Sequence, residues 1–176
     1  MKLKLLSLLL SAGLLTGCAS DGNVSNKRYL RAVSVGRDTV TLSFFPDGSD
    51  NVTVCADSPA QARRSAELGG GRKIFTGYTE LVILDGCENP EVLEFMLHEW
   101  KVSPSCMIAC PEGSGDELLT RRSAEELEGA VKLAQEQELV GRCDIVTVLG
   151  ALLTGDRRAE VPELSEHGFS GTIVIE

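Results

Sequence analysis

The sequence is poor in the residues from which many functional sites are built. Only 5% of its 176 residues are aromatic, and it contains a single tryptophan and two histidines. Because His98 and His167 are far apart and no cysteines show the Cys-x-x-Cys spacing, a zinc site has little support. Basic residues are in the minority, 17 against 26 acidic ones, and the net charge of −9 argues against nucleic-acid binding.

Motifs of the common hydrolases are absent as well. There is no Gly-x-Ser-x-Gly elbow and no His-Glu-x-x-His pair. Three glycines at 69–71 precede Arg72 and Lys73, but no Gly-Lys-Ser/Thr follows as in a phosphate-binding loop, so they predict only a helix exit. Carboxylates are abundant, but nothing places two of them in one cleft as glycoside hydrolysis requires. The sequence therefore predicts a binding or scaffolding protein rather than an enzyme, with no catalytic residue, cofactor or metal.

The apolar run at the start of the chain is too short to cross a membrane. It follows Lys2 and Lys4 and extends over residues 5–15, whereas a spanning helix needs about 20 residues, so it predicts a secretory signal. It leads into Leu15-Thr16-Gly17-Cys18, which resembles the lipobox of bacterial lipoproteins. The resemblance implies cleavage before Cys18 and a diacylglycerol on its thiol. An ordinary secretory signal with a chance cysteine is the alternative.

The lipobox divides the chain into three predicted parts. They are a signal peptide over 1–17, the lipidated Cys18 with a polar tether over 18–28, and one domain over 29–176. Two acyl chains suffice for stable anchoring. After cleavage, 15 basic residues stand against 26 acidic ones, a net charge of −11. We therefore expect the lipid, and not attraction to anionic headgroups, to hold the domain at the membrane.

Cysteine usage gives a further expectation. Lipidation of Cys18 leaves five cysteines, an odd number that cannot all pair. Cys106 and Cys110 lie four residues apart in a predicted strand, about 13 Å from each other and too far for a disulfide. We expect most of the cysteines to be small buried apolar residues, in a compartment that is not strongly oxidising.

Hydrophobic periodicity and turn residues predict alternating strands and helices. Tight turns are predicted at 36–38 and 46–49. An acidic run, Glu125, Glu126 and Glu128, is expected near a helix start on a solvated face. The pattern predicts one α+β domain, a mixed β-sheet packed with several helices. Strands are predicted over 29–35, 39–45, 51–55, 81–84, 105–110 and 171–176, and helices over 58–68, 89–100, 114–119, 123–139 and 144–153.

Two segments carry a resemblance to a known family. Residues 71–86 are Gly-Arg-Lys-Ile-Phe-Thr-Gly-Tyr-Thr-Glu-Leu-Val-Ile-Leu-Asp-Gly, and residues 92–100 are Val-Leu-Glu-Phe-Met-Leu-His-Glu-Trp. With the lipobox and the order of elements, they resemble the Ger(x)C family, the lipoprotein C subunits of bacterial spore germinant receptors. The resemblance extends from about Leu30 to Glu176 and corresponds to the family's N-terminal domain, which two further domains follow in family members.

The resemblance implies a lipid-anchored, non-catalytic receptor or scaffold component at the outer face of the spore inner membrane. Its implied partners are the membrane, through Cys18, and the integral membrane A and B subunits of the receptor. The chain departs from the family pattern at Tyr78, where a histidine is frequent, and at Glu99-Trp100, where Arg-Asp is usual. The alternative function is an extracytoplasmic solute-binding lipoprotein or a minor cell-envelope hydrolase. Neighbouring genes for A and B subunits would favour the receptor.

Overall fold

A computed structural model describes residues 26–46, 51–86, 89–155 and 157–176. The predicted signal peptide, Cys18, Cys87 and most of the predicted turn at 46–49 lie outside these ranges. Within them the chain forms five helices and a mixed eight-stranded sheet, which confirms the predicted α+β fold. The strands are β1 (Lys27–Val35), β2 (Thr39–Phe44), β3 (Val52–Cys55), β4 (Lys73–Phe75), β5 (Leu81–Leu84), β6 (Met107–Pro111), β7 (Ala159–Ser165) and β8 (Gly168–Ile175), and the helices are α1 (Pro59–Gly70), α2 (Pro90–His98), α3 (Gly115–Arg121), α4 (Ala124–Glu136) and α5 (Ile145–Leu153).

The sheet is parallel at its centre and antiparallel at both sides. Its strand order is β3-β2-β1-β5-β6-β7-β8, and β4 pairs with the first three residues of β1. Strands β1, β5, β6 and β7 run parallel, whereas β2, β3 and β8 are antiparallel to their neighbours. Central parallel strands are covered on both faces, which explains why Leu81–Leu84 is a continuous apolar run and is fully buried.

Helices cover both faces of this sheet. Helices α1, α2 and α5 lie on one face, and α2 packs against α5. Helices α3 and α4 lie on the other face, where α3 contacts β1 and β2 and α4 contacts β6 and β8. The apolar face predicted for α2 is buried through Leu93 and Met96. Trp100 is buried directly after this helix, and His98 is exposed.

Helices α1 and α4 begin at serine caps, but only the cap of α4 forms a complete capping box. Ser58 accepts the backbone N–H of Gln61 at 3.3 Å, but the Gln61 side chain accepts the N–H of Asp57 instead of that of Ser58. At α4 both bonds of the box are present, because Ser123 accepts from Glu126 N–H and the Glu126 carboxylate accepts from Ser123 N–H. Local sequence signals therefore fix where these helices start.

The C-terminal hairpin is larger than the sequence predicts. Only 171–176 was expected as a strand, but β8 begins at Gly168 and pairs along its length with β7, which was not predicted. Acidic residues and Pro162 make β7 a poor strand candidate by composition. Its pairing with β8 overrides that local preference. Helix α4 also ends at Glu136, three residues before the predicted end.

Cysteine burial follows the expectation for three of the four described cysteines. Cys106, Cys110 and Cys143 are buried, whereas Cys55 is exposed. Burial raises the pKa of the Cys106 thiol far above its ordinary value, and it raises the pKa of Cys143 to about 11. Because the thiolate is the nucleophile, the Cys106 and Cys143 thiols are unreactive at neutral pH.

Candidate functional site

A β-bulge in β1 sets the position of Arg31. Leu30 pairs with Phe44 and Ala32 pairs with Ser43, so β1 carries one residue more than β2 between these two pairs. Such a bulge redirects the extra side chain out of the regular alternation of a strand. The Arg31 carbonyl accepts the N–H of Glu80 at 2.8 Å, which also fixes the residue that precedes β5.

Arg31 is the centre of a charge cluster that joins β1, β5 and α4. Its guanidinium donates to Glu80 at 2.9 Å, and to Glu125 and Glu128 at 3.3 Å each. The Arg31 and Glu128 side chains are only 11% and 8% exposed, and the Glu128 carboxylate also pairs with Lys132. The prediction that the acidic run of α4 faces solvent is therefore wrong for Glu128, because this carboxylate lies against the sheet and compensates Arg31.

The crowding of carboxylates changes the titration of Glu80. Burial and then the nearby Glu128 carboxylate raise the pKa of Glu80, and the Arg31 guanidinium offsets this only in part. A raised carboxyl pKa is a feature of many catalytic acids. Here, however, the carboxylates of the cluster bond to Arg31 and Lys132, so the arrangement attaches α4 to the sheet.

Beside the cluster lies a surface cavity of about 690 Å³. Glu80, Glu128 and Lys132 form its charged wall, and Cys106 forms part of its floor. The raised pKa of Cys106, which burial causes first and the Glu80 charge second, keeps that thiol protonated. Tyr78 is also one of the residues that line the cavity. The cavity therefore combines a polar wall with an exposed aromatic edge and contains no activated cysteine.

Three aromatic side chains form an exposed cluster at the edge of this cavity, here called the aromatic triad. The ring centroids of Tyr29, Phe75 and Tyr78 lie 5.1 to 5.8 Å from one another. Tyr78 is 61% exposed and Phe75 is 39% exposed. A side chain at Gly77 would place its Cβ 2.9 Å from the Phe75 ring, so glycine allows the ring to lie over the loop.

The loop between β4 and β5, which presents Tyr78, is held by buried hydroxyl groups. The Thr76 hydroxyl donates to the carbonyl of Trp100, and the Thr79 hydroxyl donates to the carbonyl of Thr76 at 2.7 Å. Both threonines are buried. A loop with satisfied buried hydrogen bonds keeps its shape without a partner, so the aromatic triad is already in place before any binding event.

The sequence alone assigns no functional role to the residues of this site. The segment 71–86, which carries the resemblance, contributes Phe75, Tyr78 and Glu80. Arg31 and its α4 partners were missed because they are separated from each other by more than 90 residues, and no local pattern indicates such pairs. Cys18, the one site residue that the sequence predicts, lies outside the described residues.

Comparison with protein-family models, curated proteins and solved structures gives no match to this chain. Within the described ranges, no helix has both the length and the apolar character needed to cross a bilayer. In the same part of the chain, no three His, Cys, Asp or Glu side chains are arranged to hold a metal ion. The function is therefore argued from the aromatic triad, the charge cluster beside it and the sequence itself.

Proposed function

We propose that the chain is a lipid-anchored, non-catalytic component of a spore germinant receptor. It docks onto the integral membrane A and B subunits at the outer face of the spore inner membrane and supports germination. One observation carries the proposal: the segment 71–86, one of the two on which the resemblance to the Ger(x)C family rests, contributes two of the three rings of the aromatic triad, Phe75 and Tyr78.

The physical character of the triad supports a role in protein docking. Exposed aromatic rings are enriched in protein interfaces, and tyrosine is among the residues that contribute most to binding. Tyr78 and Phe75 are presented by a loop whose buried threonines are hydrogen-bonded, so binding does not have to order them. The charge cluster around Arg31 supplies a polar neighbour to this apolar patch, as at the rim of an interface.

Docking is tested by Tyr78→Ala. Loss of one central aromatic anchor is expected to weaken association with the A and B subunits by about tenfold or more. The measurement is the amount of A and B subunits that co-purify with the variant and with the wild type from solubilised spore membranes. Each purification is repeated at several salt concentrations, so that a difference in affinity becomes visible. Leu153→Ala is the matched control, because Leu153 is equally exposed at 59% but lies at the end of α5, away from the triad. Association of Tyr78→Ala at the wild-type level would contradict the proposed surface.

Anchoring is tested separately by Cys18→Ala. We expect incorporation of a palmitate analogue to be lost completely, because the acylated thiol is removed. Cys55→Ser serves as the control, since Cys55 is an exposed cysteine within the domain and its replacement should leave labelling unchanged. Labelling that persists in Cys18→Ala would show that Cys18 is not the lipid site.

A further inference from the structure

A groove of about 640 Å³ lies where the described chain begins. Asn26 is part of its lining, and four basic residues line it as well: Arg63, Arg64, Arg72 and Lys73. We call it the basic groove. Only two carboxylates belong to it, those of Glu67 and Glu99.

The start of β1 extends the same positive surface. Lys27 pairs with Lys73 across the β1–β4 ladder, and Arg28 follows it with its guanidinium over the Phe44 ring. The groove and this strand start together carry six basic residues and two acidic ones. The local charge is therefore positive in a chain whose formal net charge is −9.

One of the two carboxylates is engaged in holding the groove together. Glu67 accepts the backbone N–H of Ile74 at 2.9 Å and pairs with Arg63 and Lys73. Burial alone would raise the pKa of Glu67, but these hydrogen bonds outweigh it and lower the pKa below its usual value. Arg64 and Arg72 are exposed at the surface of the groove.

We propose that the basic groove lies against the anionic headgroups of the bilayer and so fixes the orientation of the anchored domain. This inference rests on the proposed lipid anchor at Cys18. Asn26 is eight positions after Cys18, so the two residues lie at most about 29 Å apart. Because the tether enters at the groove, the groove is the part of the domain held nearest to the membrane.

Neighbouring side chains suit the same location. Leu68, which lines the groove, is an apolar side chain that is 78% exposed. Tyr29 of the triad lies near the basic residues, and tyrosine is enriched where a membrane meets water. The triad residues Tyr29 and Phe75 lie two positions after Lys27 and Lys73 on their strands, so the docking surface adjoins the groove. A groove on the bilayer would therefore place the triad beside the membrane, where an integral membrane subunit can reach it.

The net charge of the chain predicts no attraction to the membrane, because an acidic domain should gain nothing from anionic lipid. That expectation treats the charge as uniform. The fold instead brings Lys27 and Arg28 of β1 next to the four basic residues between positions 63 and 73. Each basic residue near an anionic surface contributes about 1 kcal/mol, or about fivefold in the binding constant.

The test uses the wild-type full chain with two kinds of vesicle, one of phosphatidylcholine and one of phosphatidylcholine mixed with phosphatidylglycerol, each containing a dansyl-labelled lipid. Flotation reports anchoring. Energy transfer from Trp100, the only tryptophan and a lining residue of the groove, reports how close the groove is to the lipid. We expect flotation with both vesicles and stronger transfer with phosphatidylglycerol. This difference should disappear as salt rises from about 0.1 M to about 1 M.

Arg72→Glu removes one positive charge from the groove and adds one negative charge. The equilibrium constant for contact between the groove and the vesicle surface, measured by energy transfer, should therefore fall about 25-fold. Arg37→Glu, an equal charge change at the exposed turn after β1, should leave it unchanged. Equal transfer in both vesicles, or equal effects of the two variants, would overturn the inference while flotation still supports the anchor. Flotation only with the vesicles that contain phosphatidylglycerol would contradict the lipid anchor but support binding of the groove to anionic lipid. Flotation with neither kind of vesicle would contradict both proposals.

Discussion

Replacing Arg31 with methionine is expected to lower the free energy of unfolding by about 3 to 5 kcal/mol, the usual cost of removing one partner from a buried ion pair. Methionine fills much of the space of the arginine stem, so the loss is mainly electrostatic. Among the described residues, Glu128 then keeps its pair with Lys132, whereas Glu80 and Glu125 lose their pair with Arg31. Urea unfolding followed by circular dichroism measures the change.

Arg64→Met is the matched control for this experiment. Arg64 is exposed on α1, so its replacement should alter the free energy of unfolding by no more than about 0.5 kcal/mol. If Arg31→Met were as stable as Arg64→Met, the charge cluster would not hold α4 on the sheet.

The loss in Arg31→Met should also depend on pH. The pKa of Glu80 is already raised above 4.5 in the folded protein, and without Arg31 it should rise further. A raised carboxyl pKa means that the folded state binds a proton more readily than the unfolded state, so stability increases as pH falls toward that pKa. We therefore expect a smaller difference between wild type and variant near pH 5 than at pH 7. An increase of the difference on acidification would contradict this assignment.

Gly115→Ala is expected to lower the free energy of unfolding by about 3 kcal/mol, at the upper end of the range for an overpacked core. A Cβ at this position would lie 2.2 Å from Ser34 Oγ and 3.2 Å from Ile83 Cγ2. Helix α3 cannot move away freely, because Asp116 accepts hydrogen bonds from Thr39 and Thr41 at 2.6 and 2.7 Å. Thermal and urea unfolding both measure the loss.

Ser34→Ala gives a compensating variant. Among the described residues, the Ser34 hydroxyl is the one buried side-chain polar group without a hydrogen-bond partner. Removing it should leave stability unchanged or raise it by about 1 kcal/mol. In the double variant with Gly115→Ala, the closest clash is absent and most of the loss should be recovered. A double variant as unstable as Gly115→Ala alone would show that the Ser34 contact is not the cause.

The features that the sequence predicts are those with local causes. The apolar run 81–84 indicates a central strand, and Ser123 with Glu126 indicates a helix start, because each signal lies within a few neighbouring residues. Strand β7 was missed because Pro162 and its acidic residues disfavour a strand locally, and only pairing with β8 stabilises it.

The charge cluster around Arg31 is non-local and could not be predicted in the same way. Arg31 meets Glu80 and Glu128 across 49 and 97 residues, and the bulge that directs it depends on the register with β2. The net charge does not indicate the basic groove, because acidic residues elsewhere in the chain make the total negative.

Photo-crosslinking from position 78 in intact spores tests the proposed docking function most directly. A photoreactive phenylalanine analogue introduced at Tyr78 should form a crosslink to an integral membrane germinant-receptor subunit, and the same analogue at Leu153 should not. Illumination before detergent is added keeps the lipid anchor and the bilayer in place. A receptor-subunit crosslink at position 78 alone is the predicted result. The same products from both positions, or no receptor subunit at either, would contradict the proposal.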